Sequence, residues 1–217
     1  LYVVLPETLH PSDSITISFD YLVKIPNDKF TRFGYTKNGN YNLNYWFIAP
    51  AVFDKEWKIY SNKNLDDFYM PPSEITIKIN CPAEYQVVSD LDVVENQEFD
   101  KNFNISLTGK KRTSATLYLY KEDRFNTIIT DHVTVQTSIY NKDLRSELQA
   151  VCVDKIIRFL EEELGPYPFE KIVVSQEDYR NNPAYGLNQL PNFIRPFPDG
   201  FQYELESFKT IAANYLK

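Results

Sequence analysis

Residues 141–165 read NKDLRSELQAVCVDKIIRFLEEELG, and here the spacing of apolar residues changes from that of strands to that of a helix. The apolar side chains recur at steps of three and four residues, which is typical of one face of an amphipathic helix. Asn141 or Asp143 can cap its start, and Gly165 followed by Pro166 ends it. The predicted face comprises Leu144, Leu148, Val151, Cys152, Ile156, Phe159, Leu160 and Leu164.

Before this helix, apolar and polar residues alternate, which indicates β-strands. The clearest alternation forms an apolar face of Ile15, Ile17, Phe19, Tyr21, Val23 and Ile25. Further strands are predicted at 73–80, 85–89, 103–108, 114–120, 126–130 and 133–139, with turns at 37–40 and 108–110. Many short strands without a helix favour an antiparallel β sandwich or saddle over residues 1–139.

After the helix, the pattern predicts a short strand at 171–175, an edge strand at 185–194 and a last helix. That helix begins near Asp199, which stands three residues before Gln202 as in a capping box. Its apolar stripe is Phe201, Leu205, Phe208, Ile211, Ala212 and Tyr215. The sequence therefore predicts an α+β fold with one domain at 1–139 and a second portion, of helix, strand, edge strand and helix, at 140–217.

Composition and charge narrow the classes of function. The 217 residues carry 23 basic and 30 acidic side chains, a formal net charge of −7. The densest basic run, Lys110 to Arg112, is too short for nucleic-acid binding and is predicted to be a solvated turn. Glu204 and Glu206 are predicted to lie on a solvated helix face. No apolar run is long enough to span a membrane. The two cysteines leave the compartment open, with an extracytoplasmic location among the options.

Several segments in a fixed order resemble the aminopeptidase N-like gluzincin zinc metallopeptidases. These segments are YWFIAP at 45–50, Trp57, DDF at 66–68, NCPAEYQVVS at 80–89 and GPYPF at 165–169. The resemblance covers nearly the whole chain and rests on the order of its segments. It implies an amino-terminal saddle domain followed by the start of a thermolysin-like catalytic domain.

The resemblance also implies a degenerate substrate-binding strand. Where the family has Gly-x-Met-Glu-Asn, this chain has Gly186, Leu187, Asn188 and Gln189 in the run YGLNQ at 185–189. The family's glutamate pairs with the free α-amine of the substrate, and Asn188 supplies no negative charge for that pairing. A peptide or protein partner could still add to this edge strand. The alternative is a turn and edge strand without a ligand role.

The zinc motif of the family, His-Glu-x-x-His on a helix, falls on the predicted last helix. Lys209 and Ala213 occupy the positions of the two histidines, and Thr210 occupies that of the glutamate. Two imidazoles four residues apart bind one zinc ion, and the glutamate activates the zinc-bound water. The only histidines, His10 and His132, are far apart in sequence. We therefore predict no catalytic residue and no cofactor in this chain, with zinc only if residues beyond 217 supply ligands.

Three functions follow as hypotheses. The first is a non-catalytic relative of the family that binds peptides. The second is the amino-terminal part of an active zinc aminopeptidase, because the chain ends inside a predicted helix and a continuation can carry the metal motif. The third is a β-sandwich binding module that uses Tyr35, Tyr41 and Tyr45 around an Asn-Gly turn.

Overall fold

The structure is a computed structural model that describes residues 2–31, 33–58, 70–99, 101–184 and 200–216. Its mixture of helices and largely antiparallel sheets confirms the predicted α+β class. In chain order the elements are α1 (Asp28–Thr31), β1 (Gly34–Tyr35), β2 (Tyr41–Leu43), β3 (Val52–Asp54), β4 (Glu56–Lys58), β5 (Ser73–Pro82), β6 (Gln86–Ser89), β7 (Asp92–Phe99), β8 (Asn102–Arg112), β9 (Leu117–Tyr120), β10 (Asn126–Ile129), β11 (Thr134–Thr137), α2 (Ser146–Leu164), β12 (Lys171–Val174), α3 (Gln176–Asn181) and α4 (Phe201–Tyr215).

Two antiparallel sheets in the first part of the chain share one core. One sheet has the order β1-β2-β9-β6 and the other has the order β5-β8-β7. Leu43 of β2 and Leu117 of β9 belong to the same buried cluster as Leu107 of β8. Alternate isoleucines of β5 pack against this cluster from the second sheet. Burial of these apolar side chains is the main stabilising contribution to this part of the fold.

A third sheet, of order β10-β11-β12, connects the two parts of the chain. β10 and β11 are antiparallel, whereas β11 and β12 are parallel, with Val135 opposite Ile172. Helices α2 and α4 cover this sheet, and Val135, Ile157, Ile172 and Ile211 are all fully buried in the resulting core. Strands before residue 140 thus share a sheet and a core with elements after it. The boundary near residue 140 stays a prediction.

The strand predicted at residues 15–25 does not form in this structure. No backbone pairing joins these residues to any other part of the chain that the structure describes. Ile15, Phe19 and Val23 are 44, 42 and 40 % exposed. Alternation supplies an apolar face, but a strand also needs a neighbouring edge with free N–H and C=O groups.

The turn predicted at 108–110 is wrong, because β8 continues through it to Arg112. Of the predicted solvated run, Lys110 and Lys111 are exposed, whereas Arg112 is buried. Gly109 lies opposite Ile75, and a Cβ at this position would come within 2.6 Å of Leu91 Cδ2. A side chain at this position would therefore require Leu91 or Arg112 to shift. Arg112 is only 4 % exposed, and its guanidinium carbon lies 3.6 Å from the ring centroid of Phe169.

Helix α2 confirms the helix predicted near residues 141–165, and Gly165 ends it with a φ of 93°. Neither Asn141 nor Asp143 caps it, since Arg145 stands at the N-cap without a side-chain hydrogen bond. The buried face is Gln149, Val153, Ile156, Ile157 and Leu160, whereas Leu148, Val151, Phe159 and Leu164 of the predicted face are 44 to 55 % exposed. No helix within the described ranges is both long and apolar enough to cross a membrane.

Candidate functional site

Helix α4 carries the three residues that the sequence aligns with the zinc motif. It begins after Gly200, whose φ of 87° is readily adopted only by glycine. Tyr203 and Ile211 face the core, which fixes the rotation of the helix about its axis. Lys209 and Ala213 lie one turn apart and share a face directed away from that core.

Lys209, which the sequence comparison aligns with the first histidine of the zinc motif, binds protein oxygen atoms. Its Nζ donates to the backbone oxygen of Pro183 at 2.9 Å and lies 3.4 Å from Oδ1 of Asn182. Asn182 is the residue that follows α3 and caps its end. A cation near the carboxyl end of a helix is also favoured by the helix dipole. An ammonium group therefore holds α3 against α4 at this point.

Thr210 and Ala213 likewise have structural surroundings. Thr210 is 6 % exposed, and its hydroxyl lies 2.8 Å from the backbone oxygen of Glu206, to which it donates. A hydroxyl bonded to its own helix in this way cannot act as a general base. Ala213 is exposed and offers only a methyl group. Within the part of the chain that the structure describes, no three His, Cys, Asp or Glu side chains cluster as a metal site would require.

The GPYPF segment connects α4 to the β sandwich through aromatic contacts. The Tyr167 ring lies 5.0 Å from that of Tyr215 on α4 and 5.6 Å from that of Phe169, measured between centroids. Phe169 in turn lies against the buried guanidinium of Arg112 from β8. Burial raises the pKa of both Tyr167 and Tyr215 to about 12, so both phenols are neutral at pH 7.

Two tyrosines of β9 form a second connection, to the start of α3. The Tyr118 hydroxyl donates to Oδ2 of Asp178 at 2.5 Å. The Tyr120 hydroxyl lies 2.8 Å from Oδ1 of Asn42 and 3.2 Å from Oε2 of Glu177. Burial, and secondly the charge of Asp178, raise the pKa of Tyr118 well above its usual value. The phenols remain protonated and keep donating to these acceptors.

An open cleft of about 680 Å³ lies beside the amino-terminal half of α4. Its walls are residues 140–143, α3 and the first turns of α4. Glu206 lies on the cleft wall and accepts hydrogen bonds from Nε2 of Gln176 at 2.8 Å and from Nε2 of Gln202 at 2.7 Å. Glu206 was predicted to lie on a solvated helix face, but it is half-buried and held from both sides.

Sequence reasoning did not find this cleft, because α3 was not predicted. Gln202 and Glu206 lie four residues apart on one helix, and this spacing could have indicated a contact between their side chains. Gln202 was instead assigned to a capping box with Asp199, which lies outside the described residues. The predicted substrate strand, with Gly186, Leu187, Asn188 and Gln189, also lies outside the described residues.

No family model matches this chain, and no curated protein matches it in sequence. The likeness to aminopeptidase N-like enzymes therefore stays a prediction from the segments quoted above.

Proposed function

We propose that this chain is a non-catalytic relative of aminopeptidase N-like zinc metallopeptidases and that it binds peptides instead of cleaving them. The observation that carries the proposal is Lys209, whose ammonium lies at a motif position that would hold a metal-binding imidazole and is bound there by Pro183. A fixed cation at that position repels a divalent metal ion. We also propose that the portion of the chain from α2 to α4 corresponds to the start of a thermolysin-like domain.

Thr210 supports the same function. The family uses a carboxylate at this position to take a proton from the zinc-bound water. Thr210 has no carboxylate, and its hydroxyl is directed back to the helix backbone. Peptide binding remains compatible with these replacements, because an extended peptide can be held by backbone hydrogen bonds and side-chain contacts without any reacting group.

The proposal is tested by incubating the intact protein with zinc and with aminoacyl reporter substrates, alongside Lys209→Ala. Both proteins should release no amino acid above the buffer rate, because removing the lysine does not create a ligand. Saturation transfer from the protein to a mixture of unlabelled tripeptides should be observed in NMR spectra. Zinc-dependent release of amino acids by the unaltered protein would refute the non-catalytic function.

A further inference from the structure

The cleft beside α4 contains one carboxylate whose position is fixed before any ligand arrives. Oε2 of Glu206 accepts from Gln176 on α3, and Oε1 accepts from Gln202 on α4. Each carboxylate oxygen has two acceptor directions, so one remains on each oxygen. Both amide donors are neutral, and no cationic side chain of the described residues lies within ion-pair distance of Glu206. The carboxylate is therefore held by two neutral donors, each oxygen keeping one acceptor direction for a ligand.

Glu206 differs from the other charged side chains of the cleft because it is half-buried and held by hydrogen bonds. Arg180 is directed towards Glu177, with Nη1 3.8 Å from Oε1, and its side chain is 68 % exposed. Lys142 and Asp143 are adjacent exposed residues of opposite sign on the opposite wall. These three side chains are exposed, whereas Glu206 is half-buried and accepts two hydrogen bonds.

The shape of the cleft suits a long side chain together with a short piece of peptide backbone. Its volume of about 680 Å³ is within the range of about 300–1,000 Å³ that is usual for ligand sites. Tyr140, which is 59 % exposed, lines the same cleft and offers a ring to methylene groups or to a cation. Pro183 adds an apolar surface beside it.

We propose that this cleft binds the basic side chain, arginine or lysine, of a peptide segment, with Glu206 as the anchoring carboxylate. This proposal rests on the peptide-binding function proposed above. A guanidinium can bond to both carboxylate oxygens at once, and an ammonium can bond to either. The two glutamines keep the carboxylate oriented towards the incoming cation.

The test is calorimetric titration of the intact protein with four acetylated and amidated pentapeptides, Ala-Ala-X-Ala-Ala, in which X is arginine, lysine, citrulline or glutamate. Arginine and lysine peptides should bind at least about tenfold more tightly than the citrulline peptide, the effect of one charge-assisted hydrogen bond. Glu206→Gln should abolish this difference. Asp143→Asn, which removes an exposed carboxylate of the same cleft, should preserve it.

Several results would overturn the inference. The inference is overturned if the citrulline peptide binds equally tightly, if the glutamate peptide binds more tightly, or if Glu206→Gln keeps the preference for basic peptides. Each of these results would leave general peptide binding intact. Absence of binding by every peptide would also contradict the proposed function. If Glu206→Gln does not fold, the side-chain amide NMR signals of Gln176 and Gln202 decide, since they should shift with the arginine and lysine peptides and not with the citrulline peptide.

Discussion

Replacing Tyr118 with phenylalanine should weaken the connection between β9 and α3 without disturbing the packing around it. The ring keeps its contacts with Tyr120 and Phe125, so no cavity forms. What is lost is a 2.5 Å hydrogen bond to the carboxylate of Asp178 in a buried site. A hydrogen bond to a charged group contributes about 1.5–3 kcal/mol. We therefore expect the free energy of unfolding to fall by about 2 kcal/mol.

The assay is urea unfolding followed by circular dichroism, with Tyr85→Phe as the matched control. The Tyr85 hydroxyl donates to the neutral backbone oxygen of Gly39 at 3.2 Å in a half-exposed position. Its removal should cost less than about 1 kcal/mol. In thermal unfolding, a chain of this size should lose about 4–8 °C in Tm for Tyr118→Phe. Equal losses in the two variants would refute the inference that the Asp178 contact stabilises this connection.

Burial raises the pKa of Tyr167, Tyr203 and Tyr215 to about 12, above the value near 10 in the unfolded chain. Their contribution to the free energy of unfolding should therefore be constant below pH 10 and be lost as the pH rises from 10 to 12. For Tyr203, which is 2 % exposed, the loss should be about 1.4 kcal/mol per pH unit across that window. Urea unfolding of the unaltered protein and of Tyr203→Phe at a series of pH values measures it as a difference, and a difference between the two that begins to change below pH 9 would contradict this assignment. Thr210→Glu, which places a carboxylate at a position only 6 % exposed, should lower the free energy of unfolding by about 3 kcal/mol. Ala213→Glu on the exposed face should change it by less than about 0.5 kcal/mol, and similar effects in the two variants would contradict the burial of position 210.

The parts of the fold that could be predicted are those in which local periodicity and packing agree. β5 and α2 were predicted because each has one face against a core and a clear end signal, which is Pro82 for the strand and Gly165 for the helix. The predicted face of α2 is partly right, since Ile156 and Leu160 are buried but four of its eight residues are exposed. The helix has apolar residues on two sides, and its packing against the third sheet and α4 decides which side is buried. Strand β7 was missed because its polar and acidic residues conceal its alternation.

The other differences between prediction and structure arise where a side chain contacts residues that are distant in sequence. The sequence around Arg112 resembles a solvated turn, and only the aromatic surface of Phe169, distant in sequence, explains its burial. Likewise, the resemblance aligns Lys209 and Thr210 with the zinc motif but could not predict what their side chains contact. Their partners depend on α3, which has no strong periodic signal in six residues. The contact of Glu206 with Gln176 of α3 could not be predicted for the same reason.

We propose that α4 carries a structural lysine where aminopeptidase N-like enzymes hold a metal-binding histidine, and the metal content of the intact protein tests this proposal. The protein would be purified without chelator, dialysed against micromolar zinc and then against buffer, and analysed by plasma mass spectrometry. We expect far less than one zinc ion per protein molecule, both in the unaltered protein and in Lys209→Ala. One tightly held zinc ion per molecule, lost on chelation together with aminopeptidase activity, would contradict it.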